Sequence, residues 1–415
     1  MNLSTALFPV LFAGPFCLHA EMIQVGPTAP YNSLQEAISQ AHSNDTIRVQ
    51  AGTYLEHDIL IDKPLTIVGE GNPVIDAKQQ GYVLKIQADD IHISGLTLRN
   101  VGQSYTKDYA AIYISKSQHF TIEKMTLEKV FFGILVEKSK HGVIADNHVF
   151  GEFINEAGAG NGIHAWHSSN LLIKGNNLHN LRDGIYFEFV KKSWIEKNHS
   201  HDNLRYGLHF MFSNHDAYLH NTFSQNGAGV AVMFSKFITM KKNTFDNNWG
   251  SASYGLLLKE IYDAEIEDNT FNKNTIGIHV DGSTRINYLR NTFWRNGWAI
   301  RVAGACYKNR FEQNDFLYNA FDLSYHSKLN DNVFDGNYWS EYSGYDLDRD
   351  GVGDVPYRPV KLFSYIVHTT PEALILLRSL FVDIVNFSEK ISPVFTPDDL
   401  LDHTPATKQI NDSTN

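Results

Sequence analysis

Met211 and Met233 stand 22 residues apart, and His209 lies two residues before Met211. If a repeat of that length stacks these positions, two thioether sulfurs meet on adjacent rungs with an imidazole beside them. Thioether and imidazole donors suit a soft ion such as Cu(I), bound transiently, and suit Mg or Ca poorly. The other reading is that the methionines fill gaps under a loop and that His209 is one of many surface histidines in a chain with 19. His164, His167, His199, His201 and His215 are further candidate ligands on the same flank. A second group is Asp346, Asp348 and Asp350, followed by Gly351 and Asp354. Aspartates at alternate positions before a glycine match the first half of a calcium loop. Tyr357 occupies the twelfth position, where a bidentate Glu belongs, so a rigid turn held by aspartate-to-amide bonds stays open.

The repeat that must position the first group is visible throughout the middle of the chain. Gly133, Gly162, Gly184, Gly207, Gly229, Gly255 and Gly277 recur at about 22 residues, as do Asn147, Asn176, Asn198, Asn221, Asn243, Asn269, Asn291 and Asn314. Both series are lengthened at the same two places, near 151–161 and 248–253. After each Gly the apolar residues alternate, as in Leu208/Phe210 and Val230/Val232, which predicts half-buried strands. The alternation turns His209, Met211 and Met233 outward and Met240 inward. Phe223, Phe245, Phe271, Phe293 and Phe316 sit two residues after successive marker asparagines and predict an interior aromatic stack. Two or three short strands per unit, without helical periodicity, indicate an all-β fold: a right-handed parallel β-helix whose like residues stack at about 4.8 Å. The marker asparagines then form a ladder, which gives a use for the chain's 35 Asn. Ser33 and Glu36 form a capping box for a short helix that closes the N-terminal end.

Composition removes several function classes. A chain of 415 residues, 43% hydrophobic and 13% aromatic, buries a large core and is not disordered. A net charge of −11 argues against a nucleic-acid surface. Two cysteines exclude a disulfide scaffold or a multi-cysteine metal site, and Cys306 reads as a buried structural thiol. Asp263, Glu265 and Asp268 sit at turn and strand-surface positions where carboxylates are normally solvated, so no catalytic residue is assigned and the chain is expected not to be an enzyme. The rival readings are a secreted polysaccharide lyase or epimerase and a calcium-stabilised adhesin.

The ends differ from the middle. Residues 1–20 read as a secretory signal peptide. The β-helix is expected over 21–340, the Asp-rich loop over 341–360, an amphipathic helical segment over 361–392 and a flexible tail over 393–415. Arg378 and Asp383 make the helix unfit to span a bilayer, leaving packing on the body or docking at a membrane partner.

The Asn337-Tyr-Trp-Ser to Pro356-Tyr357 segment, the Gly and Asn-Thr-Phe coils before it, the N-terminal capping helix and the C-terminal amphipathic segment together resemble the NosD family of periplasmic nitrous oxide reductase maturation proteins. The resemblance implies a periplasmic, copper-binding subunit of an ABC transporter complex made of an ATPase and a permease. Membrane contact would then come through the transporter, with the C-terminal helix as a candidate dock. It further implies that copper arrives from a lipoprotein chaperone and passes to nitrous oxide reductase. The family supplies no ligand motif for His209, Met211 and Met233.

Overall fold

A computed structural model describes residues 20–104, 106–152, 158–326, 331–377, 379–391 and 400–411. The signal segment at 1–19, residues 153–157 of the first insertion and residues 392–399 of the expected tail lie outside them. The chain is a right-handed parallel β-helix of about 13 turns. Among the described residues its strands form three parallel sheets of 14, 12 and 13 strands, each strand pairing with its counterpart one coil away.

The marker residues have separate physical reasons. The glycines stack because a Cβ at Gly207 would come within 2.8 Å of the Gly229 carbonyl oxygen. The asparagines form a buried ladder: Asn198 Nδ2 donates to Asn221 Oδ1 at 3.0 Å and Asn221 Nδ2 to Asn243 Oδ1 at 3.0 Å. This continues through Asn314 and Asn337. A second ladder, running from Asn203 through Asn226, Asn248, Asn274, Asn296 and Asn319, holds a neighbouring corner. Between the ladders lies the expected aromatic stack, with Phe245 on Phe271 at 4.5 Å and Phe293 on Phe316 at 5.0 Å. The stretch from Ile91 to Leu98 splits into strands His92–Ser94 and Thr97–Arg99. Gly95 turns the corner between them at φ +73.

Helix α1 (Leu34–Gln40) buries Leu34, Ala37 and Ile38 against the first coils. Ser33 caps it, accepting from the Glu36 N–H at 3.2 Å. The carboxylate that meets the other free groups of the first turn belongs to Glu56, which accepts from Ser33 Oγ, Leu34 N and Gln35 N.

At the other end the single amphipathic helix gives way to two. Helix α2 (Leu362–Thr369) and helix α3 (Leu380–Ile391) flank a 3-10 stretch, Pro371–Leu376. Ser379 starts the second helix, its carbonyl accepting from the N–H groups of Val382 and Asp383. Phe363, Val367 and Val382 pack on Phe321 of the last coils. The outer face keeps Ile375, Leu380, Phe381, Ile384 and Phe387 exposed.

Residues 400–411, expected to be flexible, instead close the C-terminal end. Asp402 is fully buried and its Oδ2 accepts from Asn337 N, Asn337 Nδ2 and Trp339 Nε1, each at 3.0 Å. A carboxylate thus stands where the next ladder asparagine would be. Further on, the N–H groups of Ile410 and Asn411 donate to Asp315. The reason the tail is ordered is that an open β-helix end leaves buried donors which only an acceptor from elsewhere can meet.

Candidate functional site

The outward face of the 12-stranded sheet carries the soft-donor group. Its strands here are Ile163–Trp166, Asp183–Glu188, Tyr206–Met211, Ala228–Met233 and Leu256–Lys259. Met211 and Met233 are direct register partners on adjacent strands, so their side chains leave the sheet about 4.8 Å apart. On the next rung outward from the pair, Glu188 partners Met211 and Lys259 partners Met233. The Tyr186 hydroxyl donates to Met211 Sδ at 3.6 Å.

His209 lies two residues along on the same face, in register with Tyr186 and Ala231. Its setting differs from the solvent-facing one expected: the residue is only 5% exposed. The ring is flanked by Tyr186 and Tyr206, each 4.8 Å away. Tyr254, next to the second insertion, donates from its hydroxyl to the Tyr206 hydroxyl at 3.5 Å. Ala231, in register with His209 on the neighbouring rung, is fully buried. Among the described residues neither ring nitrogen of His209 has a hydrogen-bond partner. Burial, then the Arg205 and Arg182 guanidiniums, push its pKa down to about 4. The imidazole is therefore neutral at ordinary pH, the form that ligates metals.

The other histidines do not share one flank. His164 is two rungs from His209 on the same row, beyond Tyr186. Its Nε2 also lacks a partner among the described residues, and burial, with Arg182, lowers its pKa to about 4. His167 and His215 sit at coil corners and stack on Phe189 and Phe237. His199 and His201 belong to the strand His199–His201 of the 13-stranded sheet. His148 and His179 share that second face and were not singled out from sequence. They occupy the first and third positions after marker asparagines, so reading those slots as the Met slots were read would have found them. Cys306 is buried, as expected.

In the Asp-rich loop, carboxylate oxygens of Asp346, Asp348 and Asp350 lie within 4.8 Å of one another. Asp346 Oδ2 accepts from Gly351 N at 3.0 Å, and Asp346 Oδ1 is buried without a hydrogen-bond partner among the described residues. Asp354 ties the loop instead, accepting from Leu347 N at 2.7 Å.

Comparison with known proteins shows what the chain is similar to. The family described as "Periplasmic copper-binding protein (NosD)" matches residues 151–344, and the right-handed β-helix region family matches 83–215. The chain is 28% identical over 406 residues to a Pseudomonas aeruginosa protein named probable ABC transporter binding protein NosD, covering 86% of each chain. A protein of the same name from Stutzerimonas stutzeri is 27% identical over 382 residues, covering 87% of this chain and 86% of that one. The chain resembles the NosD proteins over most of its length. NosD is described as a periplasmic copper-binding family, and its two named relatives are transporter binding proteins. The likeness to sugar-modifying enzymes is one of fold alone. The A-module of the Azotobacter vinelandii mannuronan C-5 epimerase AlgE4 superposes with a TM-score of 0.55 at 12% identity, over 69% of this chain and 90% of that one. A PL6 alginate lyase gives 0.54 at 12%, over 77% and 85%.

Proposed function

We propose that this protein is a non-catalytic periplasmic accessory factor that receives Cu(I) from a chaperone lipoprotein and passes it on for the copper centres of nitrous oxide reductase. The observation that carries the reading is the register pairing of Met211 with Met233 beside the neutral imidazole of His209, whose ring nitrogens make no hydrogen bond among the described residues and whose Nδ1 lies 4.0 Å from Asp183 Oδ2. Two thioethers and one imidazole hold a monovalent soft ion without the charge that would make release slow. Copper here is cargo, so weak and exchangeable ligation is a requirement of the role. Names of the relatives support a place beside an ABC transporter of permease and ATPase. The exposed apolar face formed by Ile375, Leu380, Phe381, Ile384 and Phe387 is the part of the chain suited to dock on the permease. No helix of the described residues is long and apolar enough to cross a membrane. The lyase or epimerase reading rests on fold likeness alone.

The role is tested in cells lacking the gene, by measuring copper per reductase after complementation. Wild type is expected to restore full occupancy, and Met211→Ala/Met233→Ala to leave less than half of it. Full occupancy with the double variant would remove the Met pair from the pathway.

We further propose that Asp346, Asp348 and Asp350 hold a calcium ion, with Asp354 bracing the loop. Chelation with EDTA is then expected to lower Tm by several degrees, restored by added calcium. An unchanged Tm leaves the aspartates as loop braces.

A further inference from the structure

The corner that joins the 12-stranded sheet to the 14-stranded sheet is made of one four-residue turn per coil. On six consecutive coils the turns are Lys116–His119, Lys138–His141, His167–Asn170, Phe189–Lys192, Phe212–His215 and Phe234–Phe237, stacked in register through bridges from Gln118 to Lys236. Together they hold six lysines, four histidines, four phenylalanines and no carboxylate, in a chain whose net charge is −11. Acidic residues return at both ends of the row, with Asp89 and Asp90 one coil before it and Glu260 and Asp263 one coil after. Other lysines of the solenoid, such as Lys174 and Lys241, pair with glutamates on their own face. All six corner lysines are exposed, and none has an ion-pair partner among the described residues. Along the same corner His167, Phe189, Phe212 and Phe234 form a flat external ladder, with ring centroids 4.7, 5.1 and 5.2 Å apart. The three phenylalanines hold a left-handed backbone, at φ +54, +49 and +52. Glycine adopts that conformation freely and a bulky residue at a cost; further along the row the position is taken by Gly282 and Gly304.

Large rings held in a disfavoured conformation and left in water break two local rules at one position, which marks a contact surface. Phe189 is 41% exposed, Phe237 44%, and Trp194, two residues beyond Lys192, 53%. We propose that this corner is a docking edge for an anionic phospholipid bilayer. The coils repeat at about 4.8 Å, so the row runs about 24 Å in a line and meets a plane along its whole length. Lysine ammonium groups then face headgroup phosphates while the Phe and Trp rings reach the boundary with the acyl chains, the division of labour found at membrane–water interfaces. The nearest carboxylates do not oppose this. Glu137, just before its turn, accepts from the Tyr113 hydroxyl at 2.7 Å, and Asp216, just after His215, is buried and accepts from Ser193 N. The rest of the acidic chain is repelled by an anionic surface, so the basic edge also sets the orientation. An acidic protein surface would meet the lysines equally well, but it gives no reason for a line of aromatic rings exposed at one depth on successive coils. The edge uses neither Met211, Met233 nor His209 and stands independently of the copper reading, although Phe212 and Phe234 directly follow the two methionines and docking brings that rung to the membrane.

Flotation of the purified chain with vesicles tests the edge, comparing equal parts phosphatidylglycerol and phosphatidylcholine with phosphatidylcholine alone. Binding is expected to the anionic vesicles only, and to fall at least tenfold in about 1 M salt, where charges are screened beyond about 3 Å. Lys191→Glu/Lys192→Glu should weaken it at least tenfold. Phe189→Asn/Phe212→Asn should weaken it severalfold while keeping the fold, because Asn tolerates the left-handed backbone; matched circular dichroism spectra check that. Leu380→Ser/Phe387→Ser, on the separate helical face, should bind as wild type does. Wild type that stays off the anionic vesicles, or Lys191→Glu/Lys192→Glu that binds them as tightly as wild type, overturns the bilayer as the partner. Loss of binding in the helical-face variant alone overturns it too, since the apolar helices would then be the contact.

Discussion

Asn221→Ala is expected to be among the most damaging single substitutions in the chain, lowering stability by about 3–6 kcal/mol. Asn221 Oδ1 accepts from Asn198 N and from Asn198 Nδ2, both at 3.0 Å. Its Nδ2 donates to Ile195 O at 2.8 Å and to Asn243 Oδ1 at 3.0 Å. Alanine removes all four bonds and leaves the Asn198 N–H and the Ile195 carbonyl buried without those partners. Each such group costs about 1–3 kcal/mol, a large share of the roughly 5–15 kcal/mol that holds a typical domain together. Coils touch only their neighbours, so the loss is local: amide exchange should accelerate first in the coils around 195–245. Asn287→Ala supplies the control, since Asn287 is exposed on a strand surface and should stay within about 0.5 kcal/mol of wild type. Denaturation midpoints for the two variants check this, and equal midpoints would show that the ladder is not what holds the coils in register.

How much of this was legible without coordinates depended on whether the information repeated. Leu208/Phe210 and Val230/Val232 alternate on every coil, and Asn198, Asn221 and Asn243 return at one spacing, so the interior and one corner could be written down from periodicity. The second ladder, Asn203 to Asn319, is equally periodic but harder to see, because its members follow several different residues. Asp402 could not be found this way. It replaces a ladder asparagine from 65 residues away in a segment that has no repeat of its own. The site shows the same division. The alignment of Met211 with Met233 follows from the repeat, but the burial of His209 does not, because it depends on how the Tyr186 and Tyr206 rings pack against it, with Tyr206 in turn held by Tyr254 next to an insertion that breaks the period. Likewise Asp354 matches the spacing of a cation loop, yet its carboxylate is taken up by the Leu347 N–H. Spacing gives the rung; only packing gives the environment.

The Met pair carries the second large effect. Removing both thioethers leaves His209 as the one soft-site donor, and a single neutral imidazole behind an aromatic cover holds Cu(I) poorly. Loss of two of three donors should weaken affinity by at least a hundredfold, while either single variant, keeping two donors, should lose about tenfold. Neither change is expected to move the midpoint of unfolding by much, because both side chains are only partly buried at the sheet surface. The decisive measurement is an anaerobic Cu(I) titration against a competing chelator, comparing wild type with Met211→Ala/Met233→Ala at matched folding. One Cu(I) per chain in wild type, lost in the double variant, is the predicted result; equal affinity in the two proteins would contradict copper handling at this rung.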